Sequence, residues 1–353
     1  MRELERNRRA EGTERGGLYR VGIVGATGNT GVELAGDLVR HPDLELVFGT
    51  SRDRAGERLD AVDPVAPPIE LVHPDDASRE RIDLVFLCLP HGASAPEAER
   101  WFERGTPVID LSGDLRLRDE DTHARIYGTE RSEQLMEATV YGLPELEREA
   151  IRSTRVVANP GCYATAVELA LLPLAEAGLL GDGAYVDAKS GVSGAGRKTT
   201  ATTHFCSANE DVRPYKVGRL HRHVPEMEQV LAGAAPSGSG PVVFVPHLVP
   251  LERGILATCA VRGTGLSEDQ ARNLYAERYA GEPLVSFPPP GEQARIRSAA
   301  RTDRAVISTA GVEGLDLVVI ACAIDNLGKG AAGQAVQNMN LMLGLPEDRG
   351  LRG

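Results

Sequence analysis

Apolar positions run along this chain in two rhythms. The first is unbroken. Asp83–Leu89 (DLVFLCL) is apolar without alternation, the mark of a strand buried on both faces. Leu18–Val24, Leu44–Gly49, Pro107–Leu111 and Thr154–Ala158 are similar β-rich runs. Helical patterns at Val32–Arg40 and Ala95–Arg104 lie between them. This alternation predicts one parallel-sheet domain up to Ala158. Beyond it the rhythm changes. Ala164–Ala177 is a long apolar helix, and a further helix starts near Pro225. Strands are predicted at Ala184–Ser190, Val242–Val249 and Ile255–Arg262, and an amphipathic helix at Leu266–Tyr279. Ala305–Gly311 and Leu315–Ile324 read as an antiparallel pair turning at Val312–Gly314, and Asp325–Lys329 leads into a helix that runs to about Leu343.

Composition narrows the class. The chain has 353 residues, enough for two domains, and 42% of them are hydrophobic. A net charge of −12 argues against nucleic-acid and anionic-membrane partners, both polyanions. Five scattered cysteines, odd in number and without a CxxC pair, fit a reducing cytoplasm. No apolar run reaches membrane-spanning length. Residues 1–16 (MRELERNRRAEGTERG) are densely charged, with no apolar core for a secretory signal, and read as a disordered tail.

Two stretches carry candidate chemistry. The first is GATGNTG, Gly25–Gly31, set between a strand and a helix. Gly25, Thr27, Gly28, Asn29, Thr30 and Gly31 are candidate dinucleotide contacts, because glycines let backbone approach a pyrophosphate at a helix N-terminus. The spacing G-x-x-G-x-x-G is of middling specificity. After the second strand come Ser51 and Arg52 where an NAD-preferring fold has a carboxylate. A guanidinium and a hydroxyl suit a 2′-phosphate, so the expected cofactor is NADP(H); a solvated surface charge is the competing reading of Arg52.

The second stretch is ANPGCYAT, Ala158–Thr165. A Pro-Gly turn places Cys162 at the mouth of a helix, where free N–H groups favour negative charge. A thiol there is expected to ionise more easily and to attack a carbonyl whose oxyanion the same N–H groups hold. The competing reading is a buried small hydrophobe. Cys88, Cys259 and Cys322 lie within strands and read as core. Downstream, GVSGAGRK (Gly191–Lys198) forms a second glycine-rich loop able to offer backbone N–H groups to a ligand. Arg213, Tyr215, Lys216, Arg219, His221, Arg222 and His223 then form a basic island. His221 and His223 are the candidates for an acid/base near operating pH. An H-x-H pair also suits a metal, but no third ligand stands at suitable spacing, and no metal is expected. Arg116, just past a strand end, either reaches a substrate anion or pairs on the surface with Asp119 or Glu120.

GATGNTG, TSR, LPHG, DLSGDLRL, ANPGCYAT, DAKSGVSGAGRK, RPYKVGRLHRHVPE, LVPLERGILAT and AIDNLGKGAAGQAVQNMN occur in this order over about Tyr19–Leu345. Their set resembles the N-acetyl-gamma-glutamyl-phosphate reductases of the semialdehyde dehydrogenase superfamily. The resemblance implies NADPH-dependent reduction of an acyl phosphate to a semialdehyde in arginine biosynthesis. It implies Cys162 as nucleophile and His221 as acid/base. Thr27–Thr30, Ser51 and Arg52 match cofactor-phosphate contacts; Ser193 and Gly194 match contacts near the nicotinamide, and Asn326 matches a further cofactor contact. Arg116 resembles a substrate-phosphate ligand, and Asn159, His223 and Glu226 are further candidate substrate-binding residues. The implied architecture is α/β: a Rossmann-type doubly wound parallel sheet over 17–158, completed by a helix in 326–353. A catalytic and oligomerisation domain with a mixed, largely antiparallel sheet spans 159–325. A cytoplasmic homo-oligomer, dimer or tetramer, is expected. Ala164 departs from the usual GCYPT, and Asn29 stands where Tyr is common. A related branch, reducing a carrier-bound aminoadipyl phosphate in lysine synthesis, shares that Ala but has Asn at the Tyr163 position. Aspartate-semialdehyde dehydrogenase is the other alternative.

Overall fold

A computed structural model describes residues 17–198, 200–289 and 291–353; the expected tail over 1–16 lies outside them. The chain divides into two compact units. Unit 1 contains the described chain up to Leu115, Tyr127–Asn159 and Ala335–Leu351; unit 2 contains Arg116–Ile126, Pro160–Gln334 and Arg352–Gly353.

The strands of unit 1 are β1 (Tyr19–Val24), β2 (Leu44–Thr50), β3 (Leu71–Val72), β4 (Leu84–Leu87), β5 (Val108–Asp110), β6 (Thr139–Tyr141) and β7 (Val156–Ala158). They form one seven-stranded sheet in the order β3-β2-β1-β4-β5-β7-β6. Every neighbouring pair is parallel. β4, β5 and β7 are buried at every position, which is why their sequences show no alternation. The order reverses between β1 and β4, and such a reversal opens a crevice at the carboxyl ends of the strands. β3 and β6 were not expected from sequence; at two and three residues they are too short to show a period. The C-terminal run is tied into this unit. Arg349 forks onto Asp43, and Asn338 Nδ2 donates to the Gly142 carbonyl and to Asn159 Oδ1.

Unit 2 carries β8 (Ala184–Ser190), β9 (Arg213–Pro214), β10 (Val242–Leu248), β11 (Ile255–Arg262), β12 (Val285–Ser286), β13 (Ala305–Gly311) and β14 (Leu317–Ile324). Their order is β12-β13-β14-β11-β8-β10-β9. β8/β10 and β12/β13 are parallel and the other pairs antiparallel, as a mixed sheet requires. Although β10 and β11 follow each other in sequence, they are not neighbours, because β8 lies between them. The Val224–Ala234 helix sits in the connection that brings β10 parallel to β8, and β11 then returns on the other side. β8 and β11 alternate buried and more open positions, so only one sheet face is covered.

On that covered side the Cys162–Glu176 helix packs against β11 and β14. It is apolar on most of its circumference, with Thr165 and Glu168 the buried polar exceptions, which suits burial. Pro173 has no N–H to donate back to the Leu169 carbonyl. Tyr279 fills the vacancy: its hydroxyl donates to the Leu169 oxygen at 2.6 Å.

Candidate functional site

The glycine turn of unit 1 is shaped for backbone approach. Gly25 sits at φ 89°, where a side chain is strained, and its N–H donates to Thr50 Oγ1 at 3.0 Å. Gly28 caps the Asn29–Arg40 helix, and a Cβ there would meet nothing within 4 Å. The turn leaves open space in front of a twelve-residue helix, a cradle that suits a pyrophosphate. The helix starts at Asn29 rather than Val32, so Asn29, Thr30 and Gly31 form its first turn, with Thr27 just ahead. Ser51 and the exposed Arg52 follow the end of β2.

In unit 2 the turn Pro160–Gly161 delivers Cys162 as the first residue of its helix. The helix starts two residues earlier than the apolar run suggested, because Gly161 takes the extended cap conformation. Arg116 is buried rather than on the surface, and it pairs with Glu226 at 3.5 Å. His221 and His223 are both buried, their rings 4.8 Å apart, and Tyr163 meets His221 edge-on at 5.6 Å.

Electrostatics correct two expectations. Burial pushes the Cys162 thiol above its ordinary range, against the pull of Arg116, the Tyr163 N–H and Arg222; Glu226 adds to the push. The helix mouth alone therefore does not make this thiol easily ionised in the ligand-free protein. Burial, with help from Arg222 and Lys216, brings His221 down to about 3. Its imidazole is neutral at operating pH. The His223 N–H points at His221 Nδ1 from 3.2 Å, which puts the ring proton on Nε2 and leaves that nitrogen as a donor.

The second glycine loop also differs from expectation. Its N–H groups at Val192, Ser193 and Gly194 already bond the carbonyls of Leu251, Glu252 and Gly191. Side chains complete the lock. Ser193 Oγ donates to the Glu252 carbonyl at 2.6 Å and accepts from Asn326 Nδ2 at 3.0 Å; Asn326 Oδ1 accepts the Gly254 N–H at 2.7 Å. Ser193, Gly194 and Asn326 are thus brought together, with an Asn326 nitrogen 3.7 Å from where a Gly194 Cβ would stand. Asn159, in unit 1, is buried with its oxygen accepting from Asn338. Sequence reasoning missed Gln229, which bonds the Arg116–Arg118 backbone, and the Tyr215–Tyr163 hydroxyl pair at 3.3 Å. Tyr215 stood in the basic island and offered a signal; Gln229 offered none. Among the described residues no group of three or more His, Cys, Asp or Glu is arranged to hold a metal ion.

Two families match the chain: "Semialdehyde dehydrogenase, NAD binding domain" over residues 20–154 and "Semialdehyde dehydrogenase, dimerisation domain" over 162–326. An N-acetyl-gamma-glutamyl-phosphate reductase of Laribacter hongkongensis is 47% identical over 340 residues, covering 95% of this chain and 98% of its own. One from Moorella thermoacetica is 44% identical over 342 residues, again covering 95% and 98%. This chain belongs to the N-acetyl-gamma-glutamyl-phosphate reductases of the semialdehyde dehydrogenase family. Solved structures share the fold of these reductases at lower identity. Aspartate semialdehyde dehydrogenase II of Vibrio cholerae superposes with TM-score 0.70 at 18% identity, covering 92% of this chain and 98% of that one. The Candida albicans aspartate semialdehyde dehydrogenase, solved with NADP, gives 0.68 at 14%, covering 92% and 98%. The reductase is an oxidoreductase whose cofactor is NADP(H). No helix among its described residues is long and apolar enough to cross a membrane.

Proposed function

We propose that the chain reduces N-acetyl-gamma-glutamyl phosphate to N-acetylglutamate 5-semialdehyde and phosphate, a step of arginine biosynthesis, through a thioester on Cys162. The observation that carries the reading is the cluster at the head of the Cys162–Glu176 helix. There the buried Arg116 guanidinium acts on the Cys162 thiol, and the neutral His221 ring stands edge-on to Tyr163, the next residue, in the same unit.

The sulfur attacks the acyl carbon. The C–S bond forms, the bond to the phosphate oxygen breaks, and phosphate leaves with the electron pair and takes up the thiol proton. Arg116 draws the thiol toward its anionic form as this happens. The Gly25–Gly31 turn would hold NADPH, with Ser51 and Arg52 at its 2′-phosphate, and the cofactor when bound would supply the two-electron hydride for the reduction to the aldehyde level. His221 Nε2–H donates a hydrogen bond to the oxygen as charge develops there and keeps its proton when the C–S bond breaks, the sulfur leaving as thiolate and the carbon as the aldehyde. Ser193, Gly194 and Asn326, locked together by their own hydrogen bonds, would supply a rigid contact surface for the cofactor.

The enzyme works as a homo-oligomer, at least a dimer, in the cytoplasm. Support comes from the dimerisation-domain match and from the uncovered sheet face of unit 2. Tyr185 and Val243 are register partners on that face and are 48% and 42% exposed. The decisive assay runs the reaction backward. N-acetylglutamate semialdehyde should reduce NADP only when phosphate is present, and faster than its aminoadipate or aspartate counterparts. Phosphate-independent turnover, or preference for either counterpart, would discard this reading.

A further inference from the structure

The turn before the thiol is crowded by three side chains of unit 2. A Cβ built on Gly161 would lie 2.5 Å from His223 Nε2 and 2.7 Å from Arg116 Nη1. The third side chain is Glu226, in the first turn of the Val224–Ala234 helix and 0% exposed. Its Oε1 accepts the Gly161 N–H at 2.8 Å, and its Oε2 lies 3.5 Å from Arg116 Nη1. One turn later Gln229 Oε1 accepts the Arg118 N–H at 2.6 Å, and Gln229 Nε2 donates to the Arg116 carbonyl at 3.0 Å. This helix therefore holds the arginine by backbone and by side chain, and the nucleophile turn by its N–H. A buried carboxylate engaged at both oxygens is poorly suited to receive an acyl phosphate, which is itself anionic.

We propose that Glu226 is a positioning residue: one oxygen fixes the turn that aims Cys162, the other fixes the Arg116 guanidinium beside the thiol, and the substrate touches neither. The inference rests on Cys162 being the nucleophile. It also agrees with the opposed influences on the thiol, Arg116 pulling its ionisation down and Glu226 pushing it up.

Glu226→Gln tests this. The amide oxygen keeps the Gly161 bond, while the amide N–H₂ turns a donor toward the guanidinium. Turnover should fall, on the order of 100-fold for a misplaced group, with KM for the acyl phosphate changed far less. Alkylation by iodoacetamide, followed on the Cys162 peptide by mass spectrometry across pH, should show its midpoint moved downward. The exposed Cys206 serves as internal reference and should not change. A rise in KM with an unmoved alkylation midpoint would overturn the proposal in favour of direct substrate contact. Should Glu226→Gln fail to fold, the double variant Arg116→Gln/Glu226→Gln removes the buried pair together, which proteins tolerate better than losing one partner. If Glu226 acts through Arg116, the double variant loses no more turnover than Arg116→Gln alone; additive losses would sink the idea. The alkylation arm needs no substrate. A wild type inactive on N-acetylglutamate semialdehyde would therefore fault the functional reading and leave this test standing.

Discussion

Cys162 and His221 start the reaction in the same protonation state as each other, both neutral. Burial raises the thiol and lowers the imidazole, so neither charges the other before substrate arrives. Two pH effects follow. The dependence of kcat/KM on pH should keep rising through pH 9, the ordinary thiol value, and show no limb near pH 6.5 from His221. A limb near neutrality that vanishes in His221→Asn would contradict this. Stability moves with the same group. Between pH 6.5 and about 3 the unfolded chain protonates this histidine and the folded chain does not, so stability falls as pH drops through that window. His221→Asn should flatten that part of a plot of Tm against pH. At the cofactor, Arg52→Glu should raise KM for NADPH and spare NADH; unchanged NADPH kinetics would remove Arg52 from the 2′-phosphate site.

The Cys162–Glu176 helix gains its stability from burial rather than from caps. Gly161 offers no side-chain cap, and Leu171 in the helix middle is fully buried. Leu171→Ala should therefore cost about 2–5 kcal/mol, read as a lowered denaturation midpoint with an unchanged m-value. Elements of this kind were the legible part of the sequence. β8 and β11 fall where the pattern placed them, since a one-sided sheet writes its burial as alternation. Cys162 and Asn326 could be picked out because their motifs are local. What stayed hidden was pairing. Nothing in Val242–Val249 says that β8 lies beside it, and nothing in Glu226 or Gln229 says that their partners are Gly161 and the segment at Arg116. Such partners meet only after a crossover closes. The donors of the second glycine loop were hidden for the same reason, since the Leu251 and Glu252 carbonyls that occupy them lie some sixty residues on.

For the molecule as a whole, the uncovered sheet face makes assembly measurable. Tyr185→Glu combined with Val243→Glu places two carboxylates on adjacent strands of that face. Light scattering should then report a smaller particle than wild type at the same concentration, while the spectrum of the folded chain persists; an unchanged mass would move the interface elsewhere.

The proline in the thiol-bearing helix has a consequence for inheritance. Because Pro173 vacates the oxygen that Tyr279 occupies, the two positions, far apart in the gene, are bound into one trait. Tyr279→Phe alone strands a buried carbonyl, at about 1–3 kcal/mol. In a Pro173→Ala background, where a new N–H serves that carbonyl, the same change should be nearly silent. A lineage that discards the proline is then free to forget the hydroxyl.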